Sequence, residues 1–108
     1  MEKINVQYLP EIETLINDLS EVLFKKEYFS FYEFAANYVD QLTFFIENEM
    51  VNFPHKTTPK ALKKIGSNYA FYKPNNRTTW YIFFEKNNNR FLITYLTNNH
   101  IKDLIALH

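Results

Sequence analysis

The residues best suited to chemistry in this chain are one histidine and four cations at the ends of predicted strands or in the turns between them. Imidazole has an ordinary pKa close to neutrality, so His100 can serve as a general acid or base. Lys73, Arg77, Lys86 and Arg90 can each bind an anion. This combination predicts a site for a polyanionic ligand, although a histidine at a strand end can also cap a helix or fill a packing gap.

The rest of the sequence offers no metal or thiol chemistry. The chain has no cysteine, which excludes a thiolate metal site, a cysteine nucleophile and a disulfide framework. His55 falls in a predicted loop and His108 is the last residue, and neither stands at the spacing from acidic residues that a metal motif requires. We therefore expect no metal and no other cofactor, and the lack of cysteine fits a reducing cytoplasm.

Three consecutive strands are predicted to position these residues. Runs rich in aromatic and β-branched residues extend over Tyr69–Lys73, Thr78–Lys86 and Arg90–Thr97, with short Asn-rich gaps between them. Gaps of this length and composition are typical of tight antiparallel hairpins.

Both faces of these hairpins carry apolar side chains. In the second strand Trp80, Ile82 and Phe84 share one face, whereas Tyr81 and Phe83 point the opposite way. A pair of helices can cover one face. The opposite face is too apolar for plain solvent, so we expect it to carry a cover or a ligand.

The chain before the hairpins predicts one strand and two helices. Ile4–Leu9 alternates apolar and polar residues, and Pro10 begins an amphipathic helix that ends near Lys26. Ser30–Glu33 has the pattern of a capping box, from which a second helix runs to about Glu49. Two helices joined by a short link should pack as an antiparallel hairpin.

The last residues add one short element to a single-domain α+β fold. Asn99 is a suitable cap for a helix over Ile101–Leu107. A length of 108 residues predicts one domain, spanning 1–108. The N-terminus lacks the pattern of a secretory signal, and no apolar run approaches the roughly 20 residues of a membrane span.

A net charge of zero conceals a strong asymmetry between the two halves. Residues 1–50 hold three cations against ten anions, whereas residues 51–108 hold nine cations against two anions. The basic half carries the predicted sheet, which favours a polyanion or an acidic partner there. Acidic helices and basic strands that simply attract each other are the alternative.

One basic turn has two interpretations. It either contacts the phosphates of a nucleic acid or is simply solvated, and its cations are Lys60, Lys63 and Lys64.

The order of a strand, two helices and three antiparallel strands resembles that of the RelE/ParE toxins of type II toxin–antitoxin modules. Residues 66–100 resemble these toxins at the level of individual positions as well. The matching positions are Gly66, Tyr69, Tyr72-Lys73, Asn75-Asn76, Thr78–Phe84, Ile93 and Asn98-Asn99-His100.

This resemblance implies a toxin component of a type II toxin–antitoxin system, acting in the cytoplasm and neutralised by a cognate antitoxin protein. RelE-like members cleave messenger RNA on the ribosome without a metal, by attack of a 2′-hydroxyl on the adjacent phosphate. ParE-like members inhibit DNA gyrase without catalysis. A RelE-like endoribonuclease is the expectation here. A gyrase inhibitor, or a degenerate protein that only binds its antitoxin, is the alternative.

The resemblance also implies roles for individual residues. His100 is the expected general acid or base, and Lys73 lies near the position where the family often has a phosphate-binding arginine. Lysine is a point charge and not a bidentate fork, so Arg77 or Arg90 would have to supply the guanidinium. Tyr72 completes the expected catalytic set, by stacking on a base or polarising a hydroxyl. The expected RNA-binding residues are Lys60, Lys63, Lys64, Arg90 and Tyr95.

Overall fold

Alternating aromatic and β-branched residues form a five-stranded sheet in a computed structural model of the chain, which describes residues 3–52 and 55–99. The strands are β1 (Asn5–Tyr8), β2 (Lys56–Thr57), β3 (Asn68–Asn75), β4 (Thr78–Asn87) and β5 (Arg90–Asn98). Their order across the sheet is β1-β5-β4-β3-β2. The first strand runs parallel to β5, and the other neighbours are antiparallel. His100 and the predicted helix over Ile101–Leu107 lie outside the described residues.

Two helices cover one face of this sheet. They are α1 (Pro10–Lys25) and α2 (Tyr32–Phe44). The chain stays helical after α2, first as a wider π-helical turn over Phe45–Glu49 and then as a 3₁₀ turn over Met50–Asn52. Within the described residues, none of the helices combines the length and the apolar composition needed to cross a membrane.

The expected α+β class is confirmed, and the predicted strand, helix pair and three antiparallel strands form where they were expected. The structure adds β2, which the sequence did not indicate. This strand has only two residues, Lys56 and Thr57, which pair with Tyr69 and Asn68. A strand so short carries no periodic pattern, and only its neighbour in the sheet defines it.

The predicted capping box at Ser30–Glu33 is wrong. The second helix begins two residues after Ser30, its N-cap is Phe31, and no side chain caps it by a hydrogen bond. Phe31 adopts an extended backbone with φ −131° and ψ 144°. Glu33 therefore lies in the first turn of α2, where a carboxylate interacts favourably with the helix dipole.

The core lies between the helices and the inward face of the sheet. Trp80, Ile82 and Phe84 of β4 are fully buried there, as are Leu42 and Ile46 from the helical layer. The indole of Trp80 is not left unpaired, because its Nε1–H donates a 2.8 Å hydrogen bond to the hydroxyl of Tyr38. This bond ties α2 to the centre of the sheet, since a buried indole N–H without a partner would be destabilising.

Candidate nucleic-acid interface

The candidate site lies on the face of the sheet that points away from α1 and α2, which we call the outer face. One row of side chains across it is formed by Tyr69, Phe83 and Tyr95, which pair across β3, β4 and β5. The ring of Phe83 lies 5.5 Å from that of Tyr69 and 6.1 Å from that of Tyr95, centroid to centroid. The three rings therefore pack against one another, although the middle ring, that of Phe83, is almost fully buried.

A second row lies two residues along the strands. Phe71 pairs with Tyr81, and Tyr81 pairs with Thr97. The ring of Phe71 is 44% exposed, so it presents a large apolar surface to solvent. The ammonium group of Lys56, on β2, lies 5.8 Å from the centre of that ring. The ammonium lies over the ring, so this position combines an exposed aromatic surface with a positive charge, the two features that a nucleic-acid base and its phosphate bind.

A loop covers the remaining part of the outer face. The two ends of this loop are joined by a backbone hydrogen bond, in which the amide of Thr58 donates to the carbonyl oxygen of Ser67 at 3.0 Å. The hydroxyl of Thr94 on β5 donates a 2.6 Å hydrogen bond to the carbonyl oxygen of Ile65. The next residue, Gly66, lies so close to β4 that a Cβ atom added to it would be 2.9 Å from the Cβ of Phe83. The loop therefore rests on the sheet, and Phe83 is buried beneath it. The second apolar face predicted for the hairpins is therefore exposed to solvent only where this loop does not cover it.

The three lysines of this loop lie in a short 3₁₀ helix over Lys60–Ile65. Lys60, Lys63 and Lys64 are all exposed. Only the end of this helix contacts the outer face, through the carbonyl oxygen of Ile65 and the backbone at Gly66. The same segment holds the acidic side chain of Glu85 in place, since the amide and hydroxyl of Ser67 donate to its Oε2 at 2.9 and 3.0 Å.

The other end of the outer face contains Lys73 and the β3–β4 turn. Lys73 is exposed, and it lies where the pairing of β3 with β4 shifts register between Tyr72 and Asn75. Pro74 and Asn75 line a cleft against the helices. Arg77 is in the turn, where its amide donates to Asn75 Oδ1 at 2.9 Å.

The end of β5 is attached to the same turn. The side chain of Asn99 accepts a 2.9 Å hydrogen bond from the amide of Thr79 and donates a 3.0 Å bond to the carbonyl oxygen of Arg77. Its own amide donates to the carbonyl oxygen of Thr79. The residue bonded to His100 is thus anchored beside the Arg77 turn, although His100 itself lies outside the described part of the chain.

Two of the expected site residues, Arg90 and Tyr72, do not lie on the outer face near the β3–β4 turn. Arg90 begins β5 and pairs with Asn87, so the ten residues of β4 separate it from the Arg77 turn. At a rise of about 3.3 Å per residue this separation is about 30 Å, too far for Arg90 to share one phosphate with Lys73. Arg90 therefore does not supply the guanidinium at the Lys73 end.

Tyr72 lies on the helix side of the sheet. Its ring stacks on that of Phe45, with the centroids 4.7 Å apart and 27° between the planes. Burial raises the pKa of the Tyr72 phenol, and the negative charge of Glu49 raises it further. Because Tyr72 faces the helical layer, it does not project into the outer face, and we leave it out of the proposed site.

Tyr95 remains on the outer face, as a half-buried member of the first aromatic row. Burial raises the pKa of its phenol, so the side chain stays neutral well above physiological pH. A neutral phenol can stack on a base or donate a hydrogen bond, and it does not repel a phosphate.

Sequence reasoning missed Phe71 and Lys56 as parts of the site. The strand alternation that groups Tyr69, Phe71 and Lys73 on one face was available and would have found Phe71. For Lys56 no local signal existed. Its position depends on the pairing of β2 with β3, which brings it beside Phe71.

A separate cleft lies on the helix side of the sheet, with a volume of about 280 Å³. Its described walls include Tyr28, Phe29, Tyr38, Pro74 and Thr78, and they hold no acidic, basic or histidine side chain. Across residues 3–52 and 55–99, no three acidic or histidine side chains come together to form a candidate metal site.

Comparisons with known proteins do not assign the chain to a group. No protein-family model matches it, and neither a curated protein nor a solved structure is significantly similar to it.

Proposed function

We propose that this protein is the toxin component of a type II toxin–antitoxin system, with the RelE/ParE fold, and that it cleaves messenger RNA on the ribosome. The observation that carries the proposal is the open part of the outer face. There Phe71 and Tyr95 offer aromatic surface, Lys56 adds positive charge, and the exposed Lys73 lies near the end of the same strand as Phe71.

A single-stranded RNA fits this surface better than a duplex does. Unstacked bases can lie on aromatic rings, whereas the bases of a duplex are not accessible to them. The lysines of the loop over Lys60–Ile65 would contact the phosphates that follow the stacked bases. The proposal further assigns the cytoplasm as the compartment and a cognate antitoxin as the protein that neutralises the site.

The proposed reaction is an intramolecular transesterification. The 2′-oxygen forms a bond to the adjacent phosphorus as the bond to the 5′-oxygen breaks, which leaves a 2′,3′-cyclic phosphate and a 5′-hydroxyl. One proton leaves the attacking hydroxyl and another reaches the leaving oxygen, and His100 carries out one of these transfers. Lys73, with Arg77 from the adjacent turn, stabilises the extra negative charge on the phosphorane.

The first test is induced expression of the protein in bacteria, with messenger cleavage mapped by primer extension. The wild type is expected to arrest growth and to cut messenger RNA. The double variant His100→Ala, Lys73→Ala should retain its fold and lose at least about a hundredfold in cleavage, the usual contribution of a proton-transfer group. Lys26→Ala, which removes an exposed cation of the helical layer, is the matched control and should cleave normally.

Cleavage by the double variant at the wild-type rate would contradict the assignment of these residues. Growth arrest with no RNA cleavage, together with inhibition of DNA supercoiling in vitro, would replace the nuclease with a gyrase inhibitor. Absence of any growth effect from the folded wild type would reject both activities.

A further inference from the structure

A cluster of exposed aromatic residues lies at the tip of the helix pair, on the opposite side of the molecule from the outer face. Its members belong to the end of α1, the connection and the start of α2, and we call them the hairpin-tip patch: Phe24, Tyr28, Phe31, Tyr32 and Phe34. Their side chains are between 38% and 59% exposed. Apolar rings are rarely grouped at a free surface without a function.

Four rings of the hairpin-tip patch contact each other in two pairs and still remain open to solvent. Phe24 and Tyr32 meet edge to face with their centroids 5.9 Å apart, and Phe31 and Phe34 do so at 5.5 Å. These contacts hold the rings as a preformed surface. A preformed surface loses little side-chain entropy when a partner binds.

The size of the patch suits a small protein–protein interface. Five aromatic side chains that are each about half exposed offer roughly 400–600 Å² of apolar area. A standard interface buries about 800 Å² on each partner, of which somewhat more than half is apolar. The patch with its polar rim therefore has the area of a complete interface.

The charges at the rim favour a copy of the same surface as the partner. Lys25 pairs with Glu21 at 2.9 Å, while Lys26, Glu27 and Glu33 are exposed beside the rings. In a two-fold symmetric contact the same surface of each protomer faces its copy. Because the rim of the patch carries both positive and negative side chains, the cations of one protomer can lie against the anions of the other. An anionic membrane or a nucleic acid would require a basic rim, and residues 1–50 carry ten anions against three cations.

We propose that the hairpin-tip patch is the interface of a symmetric homodimer. This surface is on the helix side of the sheet, so the outer face of each protomer stays open in the dimer. The dimer is independent of the proposed nuclease activity, and either can fail without the other.

Sedimentation velocity tests the dimer over about 1 to 200 μM, the range in which an interface of modest size associates. The wild type is expected to show a reversible monomer–dimer equilibrium. Phe31→Asp places a charge among the rings and should weaken association at least about tenfold, because buried aromatic residues dominate such interfaces. Phe71→Asp alters an exposed ring on the outer face and should dimerise like the wild type.

Cross-linking gives a second measurement, because the chain contains no cysteine of its own. Tyr32→Cys should react with a short bifunctional maleimide to give a covalent dimer, whereas Phe71→Cys should stay monomeric. Circular dichroism and the fluorescence of the buried Trp80 report whether each variant is folded. A wild type that is monomeric throughout the concentration range, or a dimer lost with Phe71→Asp and kept with Phe31→Asp, would overturn the proposal.

Discussion

Single residues determine how closely the elements of this protein approach each other, and Gly66 is the clearest case. A side chain there would meet Thr94 Oγ1 at 2.6 Å and Phe83 Cβ at 2.9 Å. The loop over the outer face can pack on the sheet only because this position has no Cβ. The single glycine of the chain is thus placed where the backbone comes closest to β4 and β5.

Gly66→Ala should therefore destabilise the protein. We expect a loss of about 1–3 kcal/mol in the free energy of unfolding, the usual cost of overpacking a tight contact. Urea titration followed by Trp80 fluorescence measures it. Lys64→Ala, an exposed neighbour in the same loop, is the control and should change stability by less than about 0.5 kcal/mol. Equal stability of Gly66→Ala and the wild type would mean that the loop does not rest on the sheet.

Tyr8 provides a residue-scale test of the contact between β1 and the helical layer. Its hydroxyl donates a 2.7 Å hydrogen bond to Glu47 Oε2. Burial raises the pKa of Tyr8, and the hydrogen bond and charge of Glu47 raise it further. The phenol therefore resists ionisation in the folded protein, whereas in the unfolded chain it ionises near pH 10.

Stability should consequently fall as the pH rises above about 10, since the unfolded state then loses a proton that the folded state retains. Below that pH both states are protonated and the full stability is present. Tyr8→Phe should show a smaller alkaline decrease. The difference should stay under about 1.4 kcal/mol per pH unit, the limit for one group, because Tyr8 is partly exposed and solvent screens the interaction. Urea titrations between pH 8 and 11 measure it, and identical slopes in the two proteins would contradict the effect.

At the scale of elements, the loop between β2 and β3 determines the character of the outer face. It covers Phe83 and leaves Phe71 open, and its 3₁₀ helix carries the exposed cations Lys60, Lys63 and Lys64. The same loop thus reduces the apolar area exposed to solvent and adds positive charge to what remains. This arrangement suits a ligand with both bases and phosphates.

The lysines of this element should contribute to RNA binding mainly through salt-dependent contacts. Lys63→Ala is expected to weaken binding of a single-stranded RNA irrespective of its sequence. It should also reduce the slope of log K against log salt by about 0.7, the value for one phosphate contact on a single strand. Fluorescence anisotropy at several salt concentrations measures the slope. Lys26→Ala is the matched control, and an unchanged slope in Lys63→Ala would exclude this loop from the interface.

At the scale of the whole molecule, the sheet separates two surfaces of different character. The helical side is acidic and ends in the hairpin-tip patch, whereas the outer face carries Lys56 beside the open ring of Phe71. Because these surfaces are on opposite sides, a partner on one leaves the other accessible. A dimer through the helices and a ligand on the outer face are therefore compatible.

The sequence by itself determined the α+β class, the two helices and the two hairpins. These features follow from local rules, since the periods of apolar residues and the Asn-rich turns act over a few neighbouring positions. Asn88, for example, adopts φ 56° in the second turn, a conformation that asparagine tolerates better than most residues. The strands that carry Phe71, Tyr81 and Tyr95 could be drawn from the chain alone.

Only the tertiary structure decided which residues from distant parts of the chain meet at the outer face. It placed Lys56 beside Phe71, stacked Tyr72 on Phe45, and laid the loop around Gly66 over Phe83. These outcomes depend on strand pairing, bulges and the path of a loop over the sheet. Such features join residues that are distant in the chain, so no local pattern encodes them.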